Sequence, residues 1–239
     1  MADPTSMADP TSTTLLLCRH GETVCNAAGI LQGQMDSELN AAGREQAALL
    51  GRALAGRKIS NLSTNIFSSD LSRANDTAAA VFDACRLSGR EGLVHKTDAR
   101  LRERALGPFQ GLTAADCMQK HRAAWVAFNR GDDRAALDAA GAVGVETDDE
   151  LNTRAMAAVR AIADENRGKT VILVSHGGWV HTAVSGCTGV VDIPHLGNGS
   201  ITTVTIASDG TGRLTAGPED GHIRGVGVAG GNADVKQKK

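Results

Sequence analysis

The 239-residue chain has no tyrosine, and only two tryptophans and four phenylalanines. Platforms that stack nucleobases are built from such rings, so a single-stranded nucleic acid is a poor fit. Charge gives a polyanion no help either. Twenty-five Lys plus Arg face 27 Asp plus Glu, a formal net charge of −2. Any anion must be caught by local arginines, not by a global field. The cysteines are scattered at 18, 25, 85, 117 and 187, odd in number and without a CxxC pair. Reduced thiols and a cytoplasmic location are the expectation. No apolar run approaches the ~20 residues of a membrane span, and no apolar N-terminal stretch suggests secretion. Neither a nucleic acid nor a membrane is expected as a partner.

What is present is an alternation of strands and helices. Thr14–Cys18, Asn65–Ser68, Val94–Thr97, Thr170–Ser175 and Ile201–Ala207 read as strands. Thr170–Ser175 is apolar on both faces, as an interior parallel strand is. Asn40 can cap a helix to about Ala55, and another helix covers Leu71–Cys85. Thr113-Ala-Ala-Asp116 and Thr147-Asp-Asp-Glu150 are capping boxes, opening helices that end at Gly131 and near Asn166. A further helix should begin near Gly177. This order predicts an α/β fold with a largely parallel sheet in one domain, 13–217. Residues 1–12, with MADPTS repeated, and the Gly-, Asp- and Lys-rich 218–239 are expected to be flexible tails. Gly225–Gly230 fits GxGxxG, but no strand precedes it, so it reads as tail.

Two segments share a grammar. LLLCRHG and VILVSHGG each run from a buried strand into a histidine and a glycine. Parallel strands tend to end on one edge, where ligands gather. His20 and His176 can therefore face each other, and Gly21 and Gly177 allow backbone N–H groups close to an anion. Arg73 falls in the first turn of a helix, beside free donors and the positive end of its dipole. With Arg19 it makes a pair of guanidiniums able to hold a phosphoryl group through a transition state. Their charge disfavours an imidazolium at His20, leaving a lone pair to attack phosphorus. His176 can donate to the transferring group. A carboxylic acid is still needed to protonate the leaving oxygen.

The motifs continue in order from about Thr14 to Ala207: RHGET with Asn26, then QGQMDSELNAAG with Gln32-Gly33, Asp36, Leu39 and Gly43, then SSDLSRANDTA, LRERALGPFQG and VSHGG. This series resembles the histidine phosphatase superfamily, in its phosphoglycerate mutase-like branch. The resemblance implies a three-layer αβα sandwich around a mostly parallel sheet. It implies His20 as nucleophile, Arg19, Arg73 and His176 as the rest of a phosphate pocket, and Glu103 as proton donor and acceptor. Asn26, Gln32, Gly33, Arg104 and Gly177 would bind substrate. Arg104 and Gln110-Gly111 resemble the mutase version of their loop.

The resemblance implies that mutases of this branch carry a longer insert at the position after Gly111, with extra arginines and a tyrosine. Here Leu112–Glu146 is short, rich in alanine and acidic residues, and has no tyrosine. A short cap leaves water a path to phosphohistidine, so a phosphatase acting on a small phosphorylated metabolite is the expectation. The alternatives are a mutase, which alone would need 2,3-bisphosphoglycerate as cofactor, and a non-catalytic phosphate-binding module. No metal is expected, because no acidic triad accompanies the two histidines. His95, His121, His181, His195 and His222 read as structural, Cys18 and Cys25 as small core residues, and Trp125 and Phe128 as packing. Oligomeric state is not legible.

Overall fold

The computed structural model describes residues 9–59 and 61–226. Strand β1 (Thr13–Arg19) leads to a single helical turn, α1 (Val24–Ala27), and then to α2 (Ala41–Gly56). Next come β2 (Leu62–Ser68), α3 (Ser72–Leu87) and β3 (Val94–Thr97). Three short helices follow: α4 (Ala114–Lys120), α5 (Arg122–Arg130) and α6 (Arg134–Ala139). The chain closes with α7 (Asp148–Glu165), β4 (Thr170–Ser175), α8 (Gly177–Thr188), β5 (Ile201–Ile206) and β6 (Gly212–Glu219).

The six strands form one sheet in the order β3-β2-β4-β1-β5-β6. The first four are parallel; β5 runs antiparallel to β1, and β6 antiparallel to β5. The period-2 alternation of a strand assigns its side chains to two faces. Leu15 and Leu17 of β1 join Leu151, Val159 and Trp179 on one face. Leu16 and Cys18 join Leu50, Leu54 and Val81 on the other. Helices α7 and α8 cover the first face and α2 and α3 the second, which makes the three-layer αβα sandwich expected from the motif series.

The capping signals set helix starts where they were read. Asn40 accepts the Gly43 N–H at 2.8 Å and opens α2. Thr147 and Glu150 form a reciprocal box at α7, whose first turn holds three acidic residues at the positive end of its dipole. The helix from Thr113 is not continuous. At His121 the backbone turns out of the helical region, dividing it into α4 and α5 before Gly131 ends α5 in the left-handed region. The break lets Cys117 of α4 and Ala124, Ala127 and Phe128 of α5 reach one cluster with Leu31, Leu106, Phe109 and Val145. This is a third core, belonging to a cap built from Leu112–Glu146 and its flanks. Trp125 and Phe128 pack against Phe109 with ring centroids 5.1 and 5.6 Å away.

Both tails correct the sequence expectation where they are described. Strand β6 carries pairing to Glu219, opposite Ile201. Ile223 is buried, and Gln46 Nε2 donates to Val226 O at 3.0 Å, so 218–226 belong to the fold. No apolar periodicity marks this stretch, which is why it read as tail. Residues 9–12 are tied as well. Gly168 N–H donates to Thr11 O, and Asp9 accepts from Ser208 N–H at 3.1 Å. The MADPTS repeat through residue 8 and the GxGxxG match beyond residue 226 lie outside the described residues. No helix among the described residues is long and apolar enough to cross a membrane.

Candidate active site

Strand register decides where the two histidines go. β1 and β4 are parallel neighbours with Arg19 opposite Ser175. The next residue of each strand leaves the sheet at the same carboxyl edge, so His20 and His176 emerge side by side. Their ring centroids are 5.1 Å apart with planes at 62°. His20 N–H donates to Ser175 O at 2.9 Å, locking the two strand ends. Both side chains are buried.

The ring nitrogens of His20 have different surroundings. Nδ1 lies 2.7 Å from Gly21 O. A carbonyl only accepts, so Nδ1 carries the proton, and in the neutral ring the lone pair is on Nε2. Gly21 is glycine for a steric reason. A Cβ there would stand 2.3 Å from Gly43 O, and one on Gly43 would stand 1.9 Å from Glu22 O. The histidine loop thus lies directly on the first turn of α2. His176 is held well below the ordinary imidazole pKa, first by burial and then by nearby positive charge, Arg73 foremost. It is neutral, and neither of its nitrogens has a hydrogen-bond partner among the described residues.

Arg19 ends β1 and donates Nη1 to Leu196 O at 2.6 Å. Arg73, the second residue of α3, donates to Met35 O at 2.9 Å and Gly33 O at 2.7 Å. Both arginines are almost fully buried. The N-terminus of α3 differs from expectation in one respect: its Ser72 N–H is taken by Asp36 Oδ1 at 2.9 Å. Leu71 at the cap position has no side-chain bond to offer, so the cap comes from another loop. Gly33–Asp36 and the start of α3 are buttoned together at three points.

Glu103 follows a 3-10 turn, Ala99–Leu101, and its side chain reaches the start of α8. Oε2 accepts Gly178 N–H at 2.9 Å and Oε1 accepts Arg104 N–H at 2.8 Å. A Cβ at Gly178 would stand 2.5 Å from Oε1. The second glycine of VSHGG is therefore a seat for this carboxylate, and Gly177 is the first residue of α8 beside it.

Asn26 and Gln32 converge through Thr23, whose hydroxyl lies 3.0 Å from both amide oxygens. Asn26 Oδ1 also receives Thr23 N–H at 3.1 Å, so its amide nitrogen is left facing elsewhere. That nitrogen and Gln32 Nε2 are buried with no partner among the described residues. Buried donors without acceptors are costly, on the order of 1–3 kcal/mol each. These two amide nitrogens and the neutral His176 ring are buried donors that an oxyanion would satisfy.

Arg104 is engaged with the cap. Its guanidinium donates to Glu146 O at 2.9 Å, pairs with Asp148 at 2.8 Å and lies over the Phe128 ring. It faces the cap rather than the histidines. Gly33 serves through its carbonyl, as a support for Arg73.

Sequence reasoning passed over several supporting residues. Asn198 Nδ2 donates to His20 O at 3.0 Å. Thr77 Oγ1 accepts Gly21 N–H and donates to Arg73 O. Gln110 Oε1 accepts Gln34 N–H at 2.8 Å, and Arg154 binds the Glu103 segment. Thr77 and Gln110 lay in quoted motifs without an assigned supporting role; Asn198 and Arg154 sit in a turn and a helix where a polar residue gives no local signal. Among the described residues no cluster of three or more His, Cys, Asp or Glu could hold a metal ion. A groove of about 720 Å³ between α5 and α6, lined by Arg122, Val126, Arg130 and Ala136, contains none of the site residues.

The profile of the histidine phosphatase superfamily (branch 1) matches residues 15–216. Phosphoglycerate mutase-like protein 4 of Arabidopsis thaliana is 37% identical over 169 residues, 70% of this chain and 68% of its own. A metal-independent phosphoserine phosphatase of Arabidopsis thaliana is 33% identical over 192 residues, 80% of this chain and 76% of its own. A mycobacterial glucosyl-3-phosphoglycerate phosphatase, solved with VO3, is similar with a TM-score of 0.69 and 29% identity. It covers 87% of this chain and 99% of its own.

Proposed function

Because the chain belongs to the histidine phosphatase superfamily, we propose that it is a metal-independent phosphomonoesterase acting through phosphohistidine at His20. Nε2 of His20 attacks phosphorus as the bond to the leaving oxygen breaks. Glu103, as the carboxylic acid, gives its proton to that oxygen and the alcohol departs. The carboxylate left behind takes a proton from water as the water attacks phosphohistidine. Inorganic phosphate leaves, and His20 and Glu103 return to their starting states. Arg19, Arg73 and the neutral His176 hold the non-bridging oxygens throughout, with Asn26 and Gln32 as further donors.

The observation that carries this reading is the pair of imidazoles 5.1 Å apart at one sheet edge, one with its lone pair freed by a bond to Gly21 O. The substrate is a small phosphorylated metabolite, and no cofactor takes part. Wild-type protein is expected to hydrolyse 4-nitrophenyl phosphate with EDTA present, and His20→Ala to fall to background. Wild-type turnover by His20→Ala, or loss of activity on chelation, contradicts it. Absence of turnover beside tight phosphate binding would favour the non-catalytic module.

The competing reading is a phosphoglycerate mutase, favoured by Gln110-Gly111 and by the mutase-like relative. Against it, the Arg104 guanidinium is committed to Asp148 and Glu146 rather than offered to a second phosphate. Phosphorus NMR is expected to show phosphate release and no interconversion of 2- and 3-phosphoglycerate, with or without 2,3-bisphosphoglycerate.

A further inference from the structure

Glu103 sits on chain with no regular structure of its own. Between the turn at Ala99–Leu101 and the next at Gly107–Phe109, the backbone pairs only through an isolated antiparallel bridge of Leu106 with Val145 among the described residues. The carbonyls there still need donors. Trp179 Nε1 donates to Arg100 O at 2.8 Å and Gln34 Nε2 to Glu103 O at 3.0 Å, and Arg154 of α7 binds three of these carbonyls at once. Nη1 donates to Arg100 O at 2.8 Å and Arg102 O at 2.7 Å, and Nη2 to Glu103 O at 3.2 Å. The two remaining N–H groups bind Glu146 as a fork, Nε to Oε1 at 2.8 Å and Nη2 to Oε2 at 2.7 Å. All five donors of the guanidinium are used. Glu146 grips the same segment from its other side. Its Oε2 accepts Ala105 N–H at 3.2 Å, and its own N–H donates to Ala105 O at 2.8 Å.

The grip is anchored in the core. Arg154 is flanked on α7 by Leu151, Ala155 and Ala158, all fully buried in the cluster under the sheet. A rigid helix thereby fixes a loop whose carboxylate must meet the leaving oxygen within a fraction of an ångström. We propose that Arg154, braced by Glu146, is a positioning residue that holds Glu103 in register with His20 for proton transfer. The proposal rests on the phosphatase reading above. Arg154 touches no reacting atom; it acts only through Glu103.

A positioning role for a general acid has a signature that a merely structural role lacks. kcat/KM reports the steps up to departure of the alcohol. An aryl leaving group such as 4-nitrophenolate departs without help, whereas an alkyl alkoxide needs the proton. General acid catalysis contributes about 10²–10⁴-fold, and a 1 Å misplacement costs on the order of 10²-fold. Arg154→Gln is expected to lower kcat/KM about 100-fold for phosphoserine or glycerol phosphate. For 4-nitrophenyl phosphate the loss should be no more than about 5-fold, and the same contrast should appear, larger, in Glu103→Gln. Arg154→Lys keeps the charge but cannot fork, and should show the contrast in smaller measure; it carries the test if Arg154→Gln does not fold. Equal losses on both substrates, while Glu103→Gln keeps the contrast, overturn the role of Arg154 alone. A Glu103→Gln variant without the contrast overturns the acid assignment beneath it.

Discussion

A carboxylate can take a backbone N–H bond at a helix start only if side chains leave room. Gly178 leaves that room for Glu103. Gly178→Ala should therefore separate activity from stability. The methyl group drives the carboxylate aside, and kcat/KM for an alkyl phosphate should drop on the order of 10²-fold. Alanine is the better helix former by about 1 kcal/mol, so the melting temperature should stay level or rise. Activity kept within 2-fold would show that Glu103 is not where the reaction needs it. Gly43 gives the opposite outcome. Its added Cβ meets the backbone of Glu22 rather than a movable side chain, so Gly43→Ala should cost about 1–3 kcal/mol in denaturant unfolding. The cysteines contribute packing at this scale: burial pushes the Cys18 thiol up to about 12 and Cys187 to about 11, leaving little thiolate at neutral pH.

Helix α3 carries Arg73 but brings no cap of its own. Asp36, from the loop that Arg73 binds, supplies it. Asp36→Ala should cost about 1 kcal/mol of stability, the usual worth of a cap, and should loosen the guanidinium as well. The expected kinetic result is a raised KM and a raised inhibition constant for inorganic phosphate; an unchanged phosphate affinity would show that Arg73 is held by α3 alone. This element also shows where sequence reading stops. RHG, SHGG and the three capping residues Asn40, Thr113 and Thr147 are local signals, so strands β1 and β4 and helices α2 and α7 were legible close to their ends. The cap for α3 lies 36 residues away from Ser72, and no local pattern reports it. Strand β6 was not read, because an edge strand of Gly, Arg, Thr and Glu lacks apolar alternation and is defined only by its pairing with β5. Arg154 was missed for the same reason: on a helix surface it looks solvated, and only tertiary packing turns it onto the carbonyls of 100–103.

Across the molecule, four histidines share one electrostatic fate. Burial holds His95, His176, His181 and His222 below the ordinary value of 6.5. Unfolded, each imidazole titrates near 6.5. Between that value and the lower folded one, the unfolded chain binds more protons. Stability is therefore fully present above about 6.5 and declines as pH falls below it. The urea midpoint should be lower at pH 5 than at pH 7.5, and His176→Gln should narrow the difference between the two. A midpoint that is flat or rises on acidification contradicts neutral burial of these rings. The αβα layering itself was readable from the alternation of elements and the motif order. The separate core of the cap was not, because its aromatic contacts join Phe109 to Trp125 and Phe128 across the break at His121.

The proposed mechanism puts one imidazole nitrogen against one phosphorus atom. Phosphoester labelled in its phosphoryl group should be mixed with the protein, quenched in alkali within milliseconds and mapped by peptide mass. The account predicts an acid-labile phosphoryl group on the peptide containing His20, formed and lost at rates that match turnover. Label on another residue, or turnover with none trapped at any time, would contradict it.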